Sequence, residues 1–197
     1  LLIFDYGLVR SAPHRTLSSG IADALAKWYE ASLVNQNSQD ALVQQAVQMA
    51  RVLRDQLLID GVNSLADRNS PSWARVAEGC ALTAGLIGGI GGAKCRTAAA
   101  HALHNGLTQL GFHKALHGEI VGFGILVQLK LEEKVLGSQL AKQASNQLTS
   151  FLQKINLPTK ITLFRLFMIP FVVLLYYFHV MFKGIYLDVF ICLVIVL

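Results

Sequence analysis

Residues 20–31 read Gly20-Ile21-Ala22-Asp23-Ala24-Leu25-Ala26-Lys27-Trp28-Tyr29-Glu30-Ala31. Ile21, Leu25, Trp28, Tyr29 and Ser32 recur at i, i+4, i+7, i+8 and i+11, the spacing of one helix face. Ser18 or Ser19 offers an N-cap, so a helix over 20–32 is predicted. Asp23 stands two positions from Ile21, roughly 200° around the helix, and points away from the apolar stripe. Two readings of Asp23 stay open at this point. It is a first-turn acid favoured by the helix dipole, with Lys27 as a solvated partner, or it faces a second chemical group across the bundle.

The same periodicity extends outward. Residues 41–58, 73–87, 97–107, 116–133 and 138–154 all read as helix, and Ser70-Pro71 suits a helix start with Pro at the first position. Residues 88–92, Gly-Gly-Ile-Gly-Gly, are predicted to break the pattern. Residues 1–6 are short and apolar, consistent with a strand or an extended stretch. Alternating β periodicity is otherwise nearly absent, so residues 1–155 are predicted to form an all-α bundle.

Four of the six histidines, His101, His104, His113 and His117, fall within seventeen positions as H-x-x-H…H-x-x-x-H. His101 and His104 share a helix face, as do His113 and His117. A catalytic metal site needs about three protein ligands and an open position, and helices joined by a turn near Gly111 let two imidazoles converge on one ion. Gly118, directly after His117, leaves room where a substrate or cofactor comes close. Spacing alone equally allows ordinary helix-surface histidines, since no third ligand is adjacent.

The glycines at 85–92 do not make a phosphate loop, because Ala93 precedes Lys94 and Cys95 follows it. A dinucleotide fingerprint also fails, for want of a preceding strand and an acidic residue about 20 positions on. These glycines read instead as interhelix breaks and close backbone approaches. Cys80, Cys95 and Cys192 are odd in number and lack C-x-x-C spacing, which argues against a disulfide framework and fits a reducing compartment. The net charge is +5, of which +3 falls after residue 150. No Lys/Arg run would neutralise a row of phosphates, so nucleic-acid binding is not expected.

Three motifs resemble one family. Residues 20–31, then Ala98-Ala99-Ala100-His101-Ala102-Leu103-His104-Asn105-Gly106-Leu107-Thr108, then Leu116-His117-Gly118-Glu119 with Phe123-Gly124-Ile125-Leu126-Val127-Gln128-Leu129, stand in the order found in the iron-containing alcohol dehydrogenase family, and look most like its glycerol dehydrogenases. The resemblance covers residues 1–157 and implies the helical C-terminal domain of the dehydroquinate synthase-like fold. It implies Asp23, His101 and His117 as metal ligands, with His104 and His113 as weaker candidates for the pocket or a proton relay. It implies zinc or iron, a polyol substrate, NAD as hydride acceptor and a homo-oligomer as a partner to consider. The Rossmann-like half that binds NAD in this family precedes such a segment. Since residues 1–6 carry no initiating Met and no signal pattern, the chain reads as a fragment.

Beyond residue 155 the character changes, and the mean hydropathy of +0.47 for the whole chain is concentrated there. Residues 156–165, Asn-Leu-Pro-Thr-Lys-Ile-Thr-Leu-Phe-Arg, lead into the apolar run 166–182, and together they resemble the N-terminus of phosphatidylglycerophosphate synthase in the CDP-alcohol phosphatidyltransferase family. Residues 156–197 are therefore expected to form one or two transmembrane helices that touch membrane lipid and anchor a cytoplasmic globular part. The competing functional readings are a fragment of such a transferase and an inactive metal-binding remnant.

Overall fold

The computed structural model describes residues 3–109 and 114–157. The chain divides into two units, Leu1–Pro158 and Thr159–Leu197. All described residues lie in the first. The expected transmembrane helices, the transferase-like segment beyond its first two residues, Asn156 and Leu157, and His113 fall outside the described residues.

Among the described residues every regular element is helical: α1 (Tyr6–Ser11), α2 (His14–Val34), α3 (Ala41–Ala66), α4 (Pro71–Glu78), α5 (Ala84–Gly91), α6 (Ala99–Thr108), α7 (His117–Leu136) and α8 (Gln139–Lys154). Tyr6 opens a helix rather than closing a strand, because the Asp5 carboxylate caps it by accepting from Leu8 N–H at 2.9 Å. The helix predicted at 20–32 begins six residues earlier, behind Pro13. Ser18 and Ser19 therefore do not cap it. Ser18 donates to the carbonyl of Ile155 at 2.7 Å, and Ser19 Oγ accepts from Gly118 N–H at 3.1 Å.

Ser70 caps α4 as expected, accepting from Trp73 N–H. The glycine-rich stretch interrupts the helix only at its end, where α5 stops at Gly91 and Gly92 takes a φ of 57°. A π-turn, Gly79–Thr83, joins α4 to α5, which continues through Gly91, and a 3-10 turn, Gly92–Cys95, follows. Among the described residues this run, Pro71–Cys95, is the one helical stretch long and apolar enough to cross a membrane by length and composition. Here its Trp73, Val76, Ile87 and Cys95 side chains are buried in the bundle.

Helix α2 lies at the centre, packed along α7 on one side and α3 on another. That position explains why its buried residues exceed the single predicted stripe. Ala22, Ala24, Ala26 and Ala31 are buried along with Ile21, Leu25 and Tyr29, since small side chains let two helices approach. The core continues through Leu53, Leu57, Ile125, Leu148, Leu152 and Ile155, each essentially without solvent exposure. Burying such a side chain contributes on the order of 2 kcal/mol. Helix α6 buries only Ala100 and is seated on α7 by backbone proximity. A Cβ on Gly124 would stand 2.6 Å from the Ala100 carbonyl oxygen.

Candidate metal centre

The middle of α2 presents Asp23 and, two turns later on the same face, Glu30. Opposite them stand the N-terminal turns of α6 and α7, with His101 in the first turn of α6 and His117 opening α7. His101 Nε2 and His117 Nε2 approach the same oxygen, Asp23 Oδ1, at 3.3 and 3.2 Å. One ligand atom from each of the three residues lies within 4.8 Å of the others. The predicted trio is thus brought together, although Asp23 and His117 are 94 residues apart. The pairing of Asp23 with Lys27 is replaced by the two histidines.

The donor set fits a transition metal. One carboxylate and two imidazoles are the ligand chemistry of a catalytic zinc or iron site with an open position. A tetrahedral ion with bonds of about 2.0–2.1 Å places its ligand atoms roughly 3.3–3.4 Å apart. The two Asp23 distances lie beside that value. The centre is half open, with His101 13% and His117 49% exposed at the side chain.

Electrostatics bind the three groups into a unit. The hydrogen bond to Asp23, and after it the one to Glu30, raises His101 to about 9. Burial works to raise the Asp23 carboxyl, but the His101 hydrogen bond and the charge of Lys27 outweigh it and leave the group below its ordinary value. Burial lowers His117, with His104 and His101 acting in the same sense. Cys80, on the π-turn beside α2, lies outside the ligand group, and burial pushes its thiol up to about 12. Cys80 and Cys95 are both unpaired thiols.

His104 joins the centre as a neighbour of His117. Its Nε2 lies 2.9 Å from His117 Nδ1, and its own Nδ1 lies 3.1 Å from Asn105 Oδ1. One assignment satisfies the series: each Nδ1–H donates to the next acceptor, which leaves His117 Nε2 with its lone pair, beside Asp23, free for an ion. The expectation that Gly118 makes room for a ligand is corrected. A Cβ there would stand 1.8 Å from the Ser19 carbonyl oxygen, so the absent side chain lets α7 close on α2.

Three features of the centre were not read from the sequence. Glu30 is 1% exposed and holds His101 from behind. Ser19 receives the Gly118 N–H. Arg15 grips Glu119 through Nε and Nη2 at 2.6 and 2.7 Å, while Glu119 accepts from Leu116 N–H at 2.8 Å and so fixes the turn that carries His117. This pairing holds Glu119 below the usual carboxylate range. Only Glu30 left a local signal, its seven-residue spacing from Asp23.

No protein-family model matches the chain. An uncharacterised oxidoreductase of Synechocystis sp. is 55% identical over 159 residues, which are 80% of this chain and 41% of the relative. The glycerol dehydrogenase of Pseudomonas putida is 39% identical over 142 residues, 67% of this chain and 38% of that protein. A probable glycerol dehydrogenase from Sinorhizobium meliloti superposes with a TM-score of 0.66 at 30% identity, covering 80% of this chain and 44% of that one. The chain thus spans less than half the length of these relatives. By sequence and by fold, its homologues are glycerol dehydrogenase-like oxidoreductases, consistent with the helical part of the iron-containing alcohol dehydrogenase family that its three motifs resemble.

Proposed function

We propose that this chain supplies the metal-binding helical part of an NAD-dependent polyol dehydrogenase, with Asp23, His101 and His117 as ligands of one zinc or iron ion. The observation that carries the reading is the convergence of these three residues from α2, α6 and α7 on a common point. The metal, when bound, polarises the substrate hydroxyl and lowers its pKa. The residues of the chain do the rest. Asp23 sets its charge between the two imidazoles, and the exposed side of His117 leaves an approach for a small hydroxylated substrate. His104, behind His117, holds that ring in one orientation through its Nδ1. NAD belongs to the proposal by kinship with the relatives, and no described residue is assigned to it.

The test is metal content of the purified full chain, wild type beside Asp23→Ala and His117→Ala. About one zinc or iron per wild-type chain, lost in both variants, is the expected result. NAD-linked oxidation of glycerol then separates an active centre from a metal-binding remnant, which would hold the ion without turnover. A folded wild type with no stoichiometric metal would sink the reading.

A further inference from the structure

Behind the ligand trio lies a buried carboxylate whose bonds have a direction. Glu30 is 1% exposed, and its two oxygens divide the work. Oε1 accepts from Ala98 N–H at 2.7 Å and His101 N–H at 2.9 Å, in the opening turn of α6. Those are among the N–H groups a helix start leaves without partners, and α6 has no side-chain cap of its own. Oε2 stands 2.5 Å from His101 Nδ1. Carboxylates only accept, and two of them face this ring, Glu30 at 2.5 Å from Nδ1 and Asp23 at 3.3 Å from Nε2. The neutral ring has one hydrogen, which the nearer Glu30 holds on Nδ1, and its lone pair is then on Nε2. Nε2 is the atom that faces Asp23.

Resting on the metal-centre reading above, we infer that Glu30 is a positioning residue of the centre, which docks the first turn of α6 onto α2 and fixes the His101 tautomer that offers Nε2 as a ligand. One carboxylate thereby couples the seating of a helix to the readiness of a ligand. Removing a carboxylate that orients a ligand imidazole in this way costs about 10–100-fold in metal affinity.

The two roles separate in Glu30→Gln. The amide oxygen of Gln can still accept from both backbone N–H groups of α6. Its NH2 then faces His101 Nδ1 and donates to it, which moves the ring hydrogen to Nε2 and blocks the ligand atom. Flipping the amide instead sets NH2 against two N–H donors, an arrangement with no hydrogen bond. The variant keeps the helix cap and reverses the tautomer. Glu30→Ala would remove both roles, so Gln carries the test.

Two measurements on the full chain decide it. Zinc affinity is read by competition with a chromophoric chelator, for wild type and Glu30→Gln. The His101 tautomer is read in metal-free protein from long-range 1H–15N ring correlations, at a pH where the ring is neutral. The expected result is Nδ1–H in wild type and Nε2–H in the variant, about 10–100-fold weaker zinc binding and a nearly unchanged melting temperature. The same tautomer in both proteins, or zinc bound by the variant within about twofold of wild type, overturns the inference. If wild type binds no zinc, the metal-centre reading fails by itself, and the tautomer spectra alone decide the role of Glu30.

Discussion

Two buried carboxylates in this bundle do the same mechanical work and end in opposite chemistry. Glu30 ties α6 to α2, and Asp60 ties α4 to α3. Asp60 accepts from Arg75 Nε at 2.7 Å, from Arg75 Nη2 at 2.6 Å and from Ser72 Oγ at 2.8 Å. Arg75 Nη2 also donates to Ser72 Oγ at 3.2 Å, so the three side chains close on one another, and a guanidinium, which only donates, has no lone pair for a metal. Glu30 meets an imidazole, which uses one nitrogen on the carboxylate and presents the other to Asp23. A buried anion becomes a clasp or part of a site according to whether its partner keeps a lone pair to offer.

The contrast breaks most visibly at the ligands. Asp23→Ala is expected to abolish the proposed stoichiometric metal, whereas Asp60→Ala is expected to lower the melting temperature by a few degrees and leave metal content at the wild-type level. Loss of metal in Asp60→Ala would show that the clasp and the site are not separable. Gly118→Ala comes next. Its new Cβ has the Ser19 backbone in its way at 1.8 Å, so the α2–α7 contact must open. The expected cost is about 3 kcal/mol or more by chemical denaturation, with weakened metal binding because His117 moves with its helix.

The two regions also differ in their response to pH. In metal-free protein His101 is raised from 6.5 to about 9. Its pairing therefore stabilises fully below pH 6.5, and the contribution is lost as pH rises through about 9. Asp60 is depressed below 3.8, chiefly by Arg75. That contribution is present above pH 3.8 and is lost as pH falls through the lower folded value. Melts of chelator-treated wild type and Asp60→Asn test this. The loss between pH 6.5 and 9 is expected in both, and the variant loses only the acid-side dependence. Smallest is Arg54→Ala, which removes a guanidinium 4.8 Å from the Trp28 ring and a surface pair with Asp55. It is expected to cost less than about 1 kcal/mol with metal content unchanged, which makes it a control for both regions.

What the chain determined on its own is local. The 3.6-residue period of Ile21, Leu25 and Tyr29, the Ser70-Pro71 start and the histidine spacing gave the helices and the all-α class, because apolar faces and caps are written in neighbouring residues. The three proposed ligands came from the motifs, which carry Asp23, His101 and His117 as residue types in order. The errors were local as well: Ser18 and Ser19 read as caps and Gly118 as space for a ligand. In each case the packing of the bundle outweighed a propensity worth about 1 kcal/mol or less.

Only the tertiary structure decided which residues meet. Glu30 bonds Ala98 across 68 residues, and Arg15 bonds Glu119 across 104. The spacing of Glu30 from Asp23 shows a shared face but not the partner, because either contact depends on how far one helix slides and turns against another. The same holds for Gly118, whose meaning is the distance to the Ser19 carbonyl. Sequence names the groups able to bind a metal, and the packing of α6 and α7 on α2 sets the few ångströms that make them one site.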